Sequence, residues 1–284
     1  MRRARRGRRL GRVVGGCLLA ALPARIAGAP AQTPPAGPPL WFPVGEELVY
    51  RVYWGLVPVG TARSTTEWIE EDGRVLLAVR YRARSNRVLS RLYPVDDRVE
   101  AVIDPVAFRP VRFAKNLKEG RHRTDERTVF DYERLTAHWE SRTKKKTKEY
   151  AIYEDTRDLV TFMYFMRAQR FTAGTSRRFR VMDDDKLYDL TVKALEEESV
   201  ELPGFGKVAC LKLEPEAEFQ GLFVRKGRMF VWIAQGERML VTKVVASLPV
   251  ANVRAVLAEV RGPGQDFWVA RSPRGGEAEE GAED

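Results

Sequence analysis

The sequence has few of the residues that most often carry catalysis or bind metals. Its 284 residues include two cysteines, Cys17 and Cys210, and two histidines, His122 and His138. No pair of them has the spacing of a metal site, and the chain lacks a G-x-S-x-G nucleophile motif, a phosphate-binding loop and a dinucleotide fingerprint. We therefore expect no metal, no cofactor and no catalytic residue, and we interpret the chain as non-enzymatic.

A long hydrophobic run is also missing. The apolar run from Val13 to Leu22 is too short for a transmembrane helix, which needs about 20 residues. It follows an arginine-rich head and is followed by small residues up to Ala31, which is the order of a secretory signal. We predict that residues 1–31 direct export, by the ordinary or the twin-arginine route. The protein would then be periplasmic or otherwise exported, and membrane-anchored only if the signal is retained or lipidated at Cys17.

Without that signal the chain has little net charge. Residues 1–31 contain eight arginines and no acid, so the formal charge falls from +10 to 10 − 8 = +2. Bulk charge therefore gives no reason to expect a nucleic-acid partner. Cleavage also leaves Cys210 as the only cysteine, which excludes an intramolecular disulfide. The stability of the mature chain must therefore come from a hydrophobic core.

The rest of the chain is predicted to form one domain. Residues 32–39 are rich in Pro, Ala and Gly and are interpreted as a linker. Residues 271–284 carry five acids without an apolar run and are interpreted as an acidic, disordered tail. Residues 40–270 form the predicted β-rich domain, which has no transmembrane span.

Alternation of apolar and polar residues between turn signals predicts antiparallel strands. In the segment Arg74–Ser85, which returns from a predicted turn at Glu71-Asp72-Gly73, small and apolar side chains alternate with arginines. Similar patterns predict further strands at 109–116, 124–132, 187–194, 208–214, 229–234, 240–247 and 252–260. The turn spacing favours a mainly β fold: one antiparallel, strongly curved sheet or half-open barrel.

One segment breaks this pattern and predicts a helix over Thr156–Arg170, capped by Asp155 or Thr156. Leu159, Phe162, Met163 and Met166 are spaced to share one face. Val160 and Phe165 widen that face, and a helix that is apolar around most of its circumference belongs in a core. We expect it to fill the concave side of the curved sheet.

Three blocks of the chain resemble, in the same order, the DUF3108 family of uncharacterised bacterial exported proteins. The blocks read GEELVYRV at 45–52, with Gly55 and Val59-Gly60-Thr61-Ala62 after it, DLVTFMYFMR at 158–167, and GRMFVWI at 227–233. The resemblance implies an exported, β-rich envelope protein, similar in shape to half-open barrels that carry lipids or lipoproteins. It also draws attention to Asp158, Tyr164 and Arg167 in the helix block, without implying a catalytic role.

Two features suggest a ligand. Arg80, Arg82 and Arg84 share one face of a predicted strand, and the guanidinium group suits phosphate or carboxylate. Aromatic residues are frequent along the predicted sheet, although core packing explains most of them. Together with Tyr164 and Arg167 of the helix, the three arginines are our predicted ligand-binding residues.

We therefore expect an envelope protein that binds an amphipathic or anionic ligand, such as a lipid or a glycan precursor, in a half-barrel groove with an apolar lining and a basic mouth. An alternative is a structural or scaffolding module that binds other envelope proteins through a sheet edge or the helix end. A third is an envelope glycan-processing enzyme, which would need two carboxylates facing each other across a cleft. The sequence does not define the oligomeric state.

Overall fold

The structure is a computed structural model that describes residues 37–183, 185–217, 228–247 and 252–267. The predicted signal at 1–31, Cys17, most of the predicted linker and the predicted acidic tail lie outside these residues. Fifteen strands, one α-helix and one 3₁₀ turn (Leu89–Arg91) are defined within them. The strands are β1 (Glu47–Trp54), β2 (Val57–Glu71), β3 (Arg74–Ser85), β4 (Asp96–Asp104), β5 (Arg109–Glu119), β6 (His122–Asp131), β7 (Thr136–Ser141), β8 (Lys146–Ala151), β9 (Arg157–Asp158), β10 (Ser176–Asp183), β11 (Lys186–Leu202), β12 (Gly206–Ala217), β13 (Met229–Ala234), β14 (Val241–Ser247) and β15 (Asn252–Arg261).

All fifteen strands belong to one open sheet in the part of the chain that the structure describes. The order is β8-β7-β6-β5-β4-β3-β2-β1-β15-β14-β13-β12-β11-β10-β9. Neighbouring strands are antiparallel, except that the two-residue strand β9 runs parallel to β10. The predicted mainly β class and single sheet are confirmed, and the short parallel pair makes the sheet mixed rather than purely antiparallel.

The hairpins follow from local turn chemistry. Asp72 and Gly73 both have positive φ, 52° and 71°, as a two-residue turn between β2 and β3 requires. Glu71 and Arg74 pair directly across this turn, so the turn sets the register of the two long strands. Gly60 has a different role, because a Cβ there would lie 2.2 Å from the carbonyl oxygen of Arg84 on the neighbouring strand.

Side-chain contacts draw the β9–β10 end of the sheet toward β5 and β6. Lys115 of β5 donates to Asp183 of β10 at 3.1 Å, and both side chains are mostly buried. The Arg157 guanidinium donates to the carbonyl of Phe108, and the Tyr132 hydroxyl donates to the carbonyl of Thr156. These contacts curl the sheet around an interior without a continuous backbone ladder to close it.

The helix α1 (Leu159–Met166) lies in that interior, as the apolar pattern predicts, but it is shorter than the predicted Thr156–Arg170. The predicted caps Asp155 and Thr156 are wrong. Asp158 caps the helix instead, because its carboxylate accepts the N–H groups of Val160 and Thr161.

The helix divides the core into two parts. Val160 and Tyr164 pack with buried residues of β3–β7, including Leu77 and Ile103. The residues two positions further along, Phe162 and Met166, point the other way and pack with residues of β10–β14. Offsets of two residues place side chains on opposite sides of a helix, so this eight-residue helix of about two turns packs against both halves of the sheet.

The strand β8 forms one edge of the sheet and is mostly exposed. It carries Lys146 and Lys148, and exposed lysines are a common means of preventing further strands from adding to an edge. This edge therefore gives little support to a scaffolding role by strand addition.

Candidate functional site

The first candidate region is a buried ion pair at the C-terminal end of α1. Arg167 and Glu46 have side chains that are 2% and 1% exposed. The guanidinium donates to both carboxylate oxygens of Glu46, one of them at 3.1 Å, and also to the carbonyl of Arg238 at 3.4 Å. It lies over the rings of Phe42 and Tyr164, 4.9 and 5.1 Å from their centroids. This set of partners compensates for the cost of removing two charges from water.

Tyr164 extends the same network. Its hydroxyl lies 2.7 Å from the Ser64 hydroxyl on β2, and its carbonyl accepts the indole N–H of Trp41 at 3.0 Å. Burial, with Tyr81 and Glu46 nearby, raises the pKa of Tyr164 well above its ordinary value, and burial raises the pKa of Tyr81 to about 12. Both hydroxyls therefore stay neutral, and both are hydrogen-bonded to Ser64.

The charge of Arg167 is equally fixed. Burial alone would lower the pKa of its guanidinium, but attraction and hydrogen bonding to Glu46 more than offset that effect, so the pKa is raised. Arg167 and Glu46 come from two separate blocks of the family resemblance, 121 residues apart. The pair joins the start of β1 to the end of α1.

Asp158, at the other end of α1, is fully buried and serves as the helix cap. The Thr161 hydroxyl donates to its second carboxylate oxygen at 2.5 Å. Burial raises the pKa of Asp158 to about 6, although the hydrogen bonds from Thr161 and Val160 oppose this shift. All three predicted residues of the helix block thus hold the helix in place.

The second candidate region is an apolar groove of about 230 Å³ between α1 and strands β11–β14. It is lined by Leu159, Phe162, Met163, Met166, Val192, Leu213, Pro215, Met229, Val231, Ile233, Val241 and Val244. No lining side chain is charged or carries a hydroxyl group. The chemistry of this lining suits an apolar moiety, and none of the lining residues is an acid, a base or a nucleophile.

The groove is open to solvent along one side. Leu159, Met163, Met229, Val231 and Val244 are only half-buried, whereas Phe162 and Leu213 at its base are 5% and 1% exposed. Three of the chain's six methionines line it, and the flexible thioether side chain adapts to ligands of different shape. This combination distinguishes the groove from the closed core around Leu77.

The third candidate region is a polar groove of about 490 Å³ on the other face of the sheet, across β2–β6. Arg63, Arg82 and Arg98 lie directly opposite one another on three consecutive strands and line this groove. Like charges in such a row are unfavourable unless acids or a bound anion compensate for them. The Asp96 carboxylate forms ion pairs with Arg82, Arg84 and Arg98, with N···O distances of 3.1, 3.2 and 3.6 Å.

The predicted ligand-binding residues are therefore not brought together. Arg80 and Arg82 line the polar groove, Arg80 is paired with Glu67 and Glu100, and Arg84 lies beside Asp96. Tyr164 and Arg167 are buried on the helix side of the sheet and line neither groove. The predicted apolar lining and the predicted basic surface lie on opposite faces.

Sequence reasoning predicted the face formed by Leu159, Phe162, Met163 and Met166 but interpreted it only as core. The strand half of the groove was not recognised, because Val, Leu and Ile in alternation look the same whether or not a space lies above them. The signal that could have found it is the placement of Met163 and Met166 on one helix face, with Met229 on a later strand.

Other groups that could support chemistry are sparse in the described ranges. Cys210 is buried, its thiol lies 3.1 Å from the Thr242 hydroxyl, and burial raises its pKa, so its thiolate is disfavoured. No cluster of three or more potential metal ligands occurs among residues 37–183, 185–217, 228–247 and 252–267. Within these same ranges, no helix has the length and hydrophobicity needed to cross a bilayer.

Comparisons with known proteins agree with this fold. No curated protein matches the chain. Among solved structures, a beta-barrel-like protein of the domain of unknown function DUF1849 from Brucella abortus matches with a TM-score of 0.51. It is 12% identical in sequence, and the match covers 76% of this chain and 97% of the other. At that identity the likeness supports a barrel-like fold and nothing further.

The family comparison is more specific. The profile described as "Protein of unknown function (DUF3108)" matches residues 49–258, which is most of the chain and nearly all of the sheet. The match begins within the first block of the resemblance and includes the helix and tryptophan-strand blocks. The chain therefore belongs to the DUF3108 family.

Proposed function

We propose that this protein binds the apolar chain of an amphipathic molecule in the groove between α1 and β11–β14. The observation that carries the proposal is a wholly apolar lining whose outer side chains remain half-buried beside an otherwise closed core. Exposed apolar surface costs about 25 cal/mol per Å², so an apolar ligand that covers it gains free energy without needing a polar anchor.

The size of the groove restricts the ligand. About 230 Å³ is below the roughly 300–1,000 Å³ of sites that enclose drug-sized molecules. One alkyl chain or a small ring system fits better than a complete multi-chain lipid, and a polar head group would remain outside. The signal-like N-terminal sequence supports export, so we place this binding activity in the cell envelope.

The test is titration of the purified protein with 11-(dansylamino)undecanoic acid, whose fluorescence rises in an apolar site. We expect saturable binding that dodecanoate displaces. Val244→Phe adds a ring on the groove side of β14 and should weaken binding by roughly tenfold or more, because the ring fills the space.

Val245→Phe is the matched control, since the neighbouring residue faces the other side of β14 and lies outside the groove lining. Circular dichroism of both variants would establish that each is folded. Equal affinity of the two folded variants, or the absence of saturable binding by the unmodified protein, would contradict the proposal.

A second candidate function is binding of an anionic group in the polar groove. The favouring observation is the direct cross-strand row of Arg63, Arg82 and Arg98. If that row binds a polyanion, replacing Arg82 and Arg98 together with Gln should lower the affinity for sulfated oligosaccharides by about tenfold. The pair Arg134→Gln and Arg142→Gln, in exposed positions elsewhere, provides the control. Equal affinity of the two double variants would exclude this function.

A further inference from the structure

Two neighbouring loops carry most of the exposed large apolar side chains. Ten such residues occur in the described ranges, and six of them lie in these loops. The turn between β1 and β2 presents Trp54, Leu56 and Val57, which are 48%, 84% and 63% exposed. The connection between β3 and β4 presents Val88, Leu92 and Tyr93, which are 76%, 85% and 49% exposed. We call these six residues the apolar rim.

The two loops form one surface because they are bonded to each other. The Asn86 side chain donates to the carbonyl of Pro58 at 2.6 Å, and the Asn86 backbone N–H donates to the carbonyl of Val59 at 2.8 Å. Gly60 and Ser85 pair at the adjoining ends of β2 and β3. Exposed apolar side chains at scattered positions need no explanation, but six on two joined loops indicate a contact surface.

The charge on these loops favours one kind of partner. Segments 54–60 and 86–94 contain two arginines, Arg87 and Arg91, and no acid. Both arginines are exposed, and neither forms an ion pair with an acid in the described part of the chain. Basic residues interleaved with Leu, Val, Trp and Tyr match an anionic bilayer surface, where aromatic rings lie at the head-group level and arginines contact phosphates.

We propose that the apolar rim docks this protein on the surface of an anionic phospholipid bilayer. The six side chains would enter the head-group region while Arg87 and Arg91 contact lipid phosphates. This proposal depends on the exposed loops alone and holds even if the apolar groove binds nothing.

The position of the rim relative to the groove determines which end of the groove would face the bilayer in the docked protein. Met229 of the groove pairs with Ala246, Ala246 with Val253, and Val253 with Trp54 of the rim. This row crosses three strand spacings, or roughly 14 Å. The rim and one end of the groove therefore lie at the same end of the sheet, so a docked protein would hold that end of the groove toward the bilayer.

The test is co-sedimentation of the protein with vesicles of phosphatidylethanolamine and phosphatidylglycerol in a three-to-one ratio, compared with vesicles of phosphatidylcholine. We expect stronger binding to the anionic vesicles, weakened by salt as ionic contacts are screened. Leu92→Asp should reduce binding by roughly tenfold or more, because it places a carboxylate among apolar and anionic lipid groups.

Val106→Asp is the matched control, because Val106 is also 85% exposed but lies in the turn at the opposite end of β4. Quenching of Trp54 by brominated acyl chains supplies an independent measurement, with Trp54→Phe identifying its contribution. Equal binding of the Leu92→Asp and Val106→Asp variants, or no binding to either vesicle, would overturn the proposal. Capture of protein rather than lipid by a photocrosslinker at position 92 would also overturn the proposal.

Discussion

On one side of α1, Tyr164 contacts Ser64, and Arg167, just past the end of the helix, contacts Glu46; both contacts belong to a network that is closed to solvent. Along the other, Phe162, Met163 and Met166 line a groove that contains no polar group and reaches the surface. Tyr164 and Phe162 point in roughly opposite directions from the helix, and the two regions that they belong to have opposite requirements. Charged groups can be buried only where every partner is fixed, whereas apolar groups tolerate an unfilled space at a smaller cost.

This contrast indicates where a ligand can act. A ligand entering the network would have to break bonds that hold the helix to β1 and β2, and would leave a buried charge unpaired. A ligand entering the groove would displace water from apolar surface and break nothing. The charged and aromatic residues of a family motif are therefore not necessarily the residues that bind a ligand.

The largest loss of stability should come from removing one partner of the buried ion pair between Arg167 and Glu46. Arg167→Met leaves the buried Glu46 carboxylate without its partner, and we expect the free energy of unfolding to fall by about 3–5 kcal/mol. Urea denaturation measures the change. The double variant Glu46→Leu with Arg167→Met removes both charges and should recover most of that loss. A single variant within about 1 kcal/mol of the unmodified protein would show that the pair does not stabilise the fold.

Replacing methionines with alanine compares how tightly side chains are packed in the core and around the groove. Met182 is 1% exposed and closely packed, so Met182→Ala should cost about 2–5 kcal/mol. Met163 already borders an open space, and Met163→Ala should cost less than about 1.5 kcal/mol. The same urea titrations test both variants. Equal losses would mean that the groove is packed like the core and is unsuited to a ligand.

Local sequence signals predicted much of the sheet, and the reason is visible at particular residues. Asp72-Gly73 sets both the turn and the register of β2 and β3, and the segment Arg74–Ser85 was predicted with its observed bounds. The helix ends were less accurate because Thr156, Asp155 and Asp158 are all plausible caps. The choice depended on tertiary contacts: residues 157–158 pair with β10, which leaves Asp158 at the first turn.

The candidate site was much less predictable. The pairing of Glu46 with Arg167 spans 121 residues and depends on how the sheet curls, which no local pattern contains. The arginines of β3 were correctly assigned to one face, but their acid partners on β2 and β4 follow from strand register. An empty space such as the groove has no sequence signature of its own, since it arises from side chains that fail to meet.

Asp158, the N-terminal cap of α1, should make the stability of the protein depend on pH. Asp158 has its pKa raised from an ordinary 3.8 to about 6, so the folded protein holds a proton there that the unfolded chain releases. The stability contributed by this group is therefore fully present below about pH 4 and is lost as the pH rises through about 6, a total change of roughly 3 kcal/mol, of which about 2 kcal/mol falls between pH 4 and pH 6. Asp183 contributes to the shift by repulsion.

Asp158→Asn keeps the cap acceptor but cannot ionise. We expect the difference in unfolding free energy between the unmodified protein and this variant to move in favour of the variant from pH 4 to pH 6. Urea denaturation at several pH values within that interval measures it. A difference that stays constant would mean that Asp158 is as well solvated when folded as when unfolded, in conflict with its complete burial.

The smallest effect separates hydrogen bonding from packing at Tyr164. Tyr164→Phe removes only the hydroxyl that contacts Ser64, and the ring remains against Phe42 and beneath the Arg167 guanidinium. The expected loss is about 1 kcal/mol, the typical contribution of one buried hydrogen bond. Affinity for the dansylated fatty acid should not change, because Tyr164 does not line the groove. A loss of affinity at nearly unchanged stability would instead show that the two sides of α1 are coupled, and that the closed network helps to set the shape of the groove.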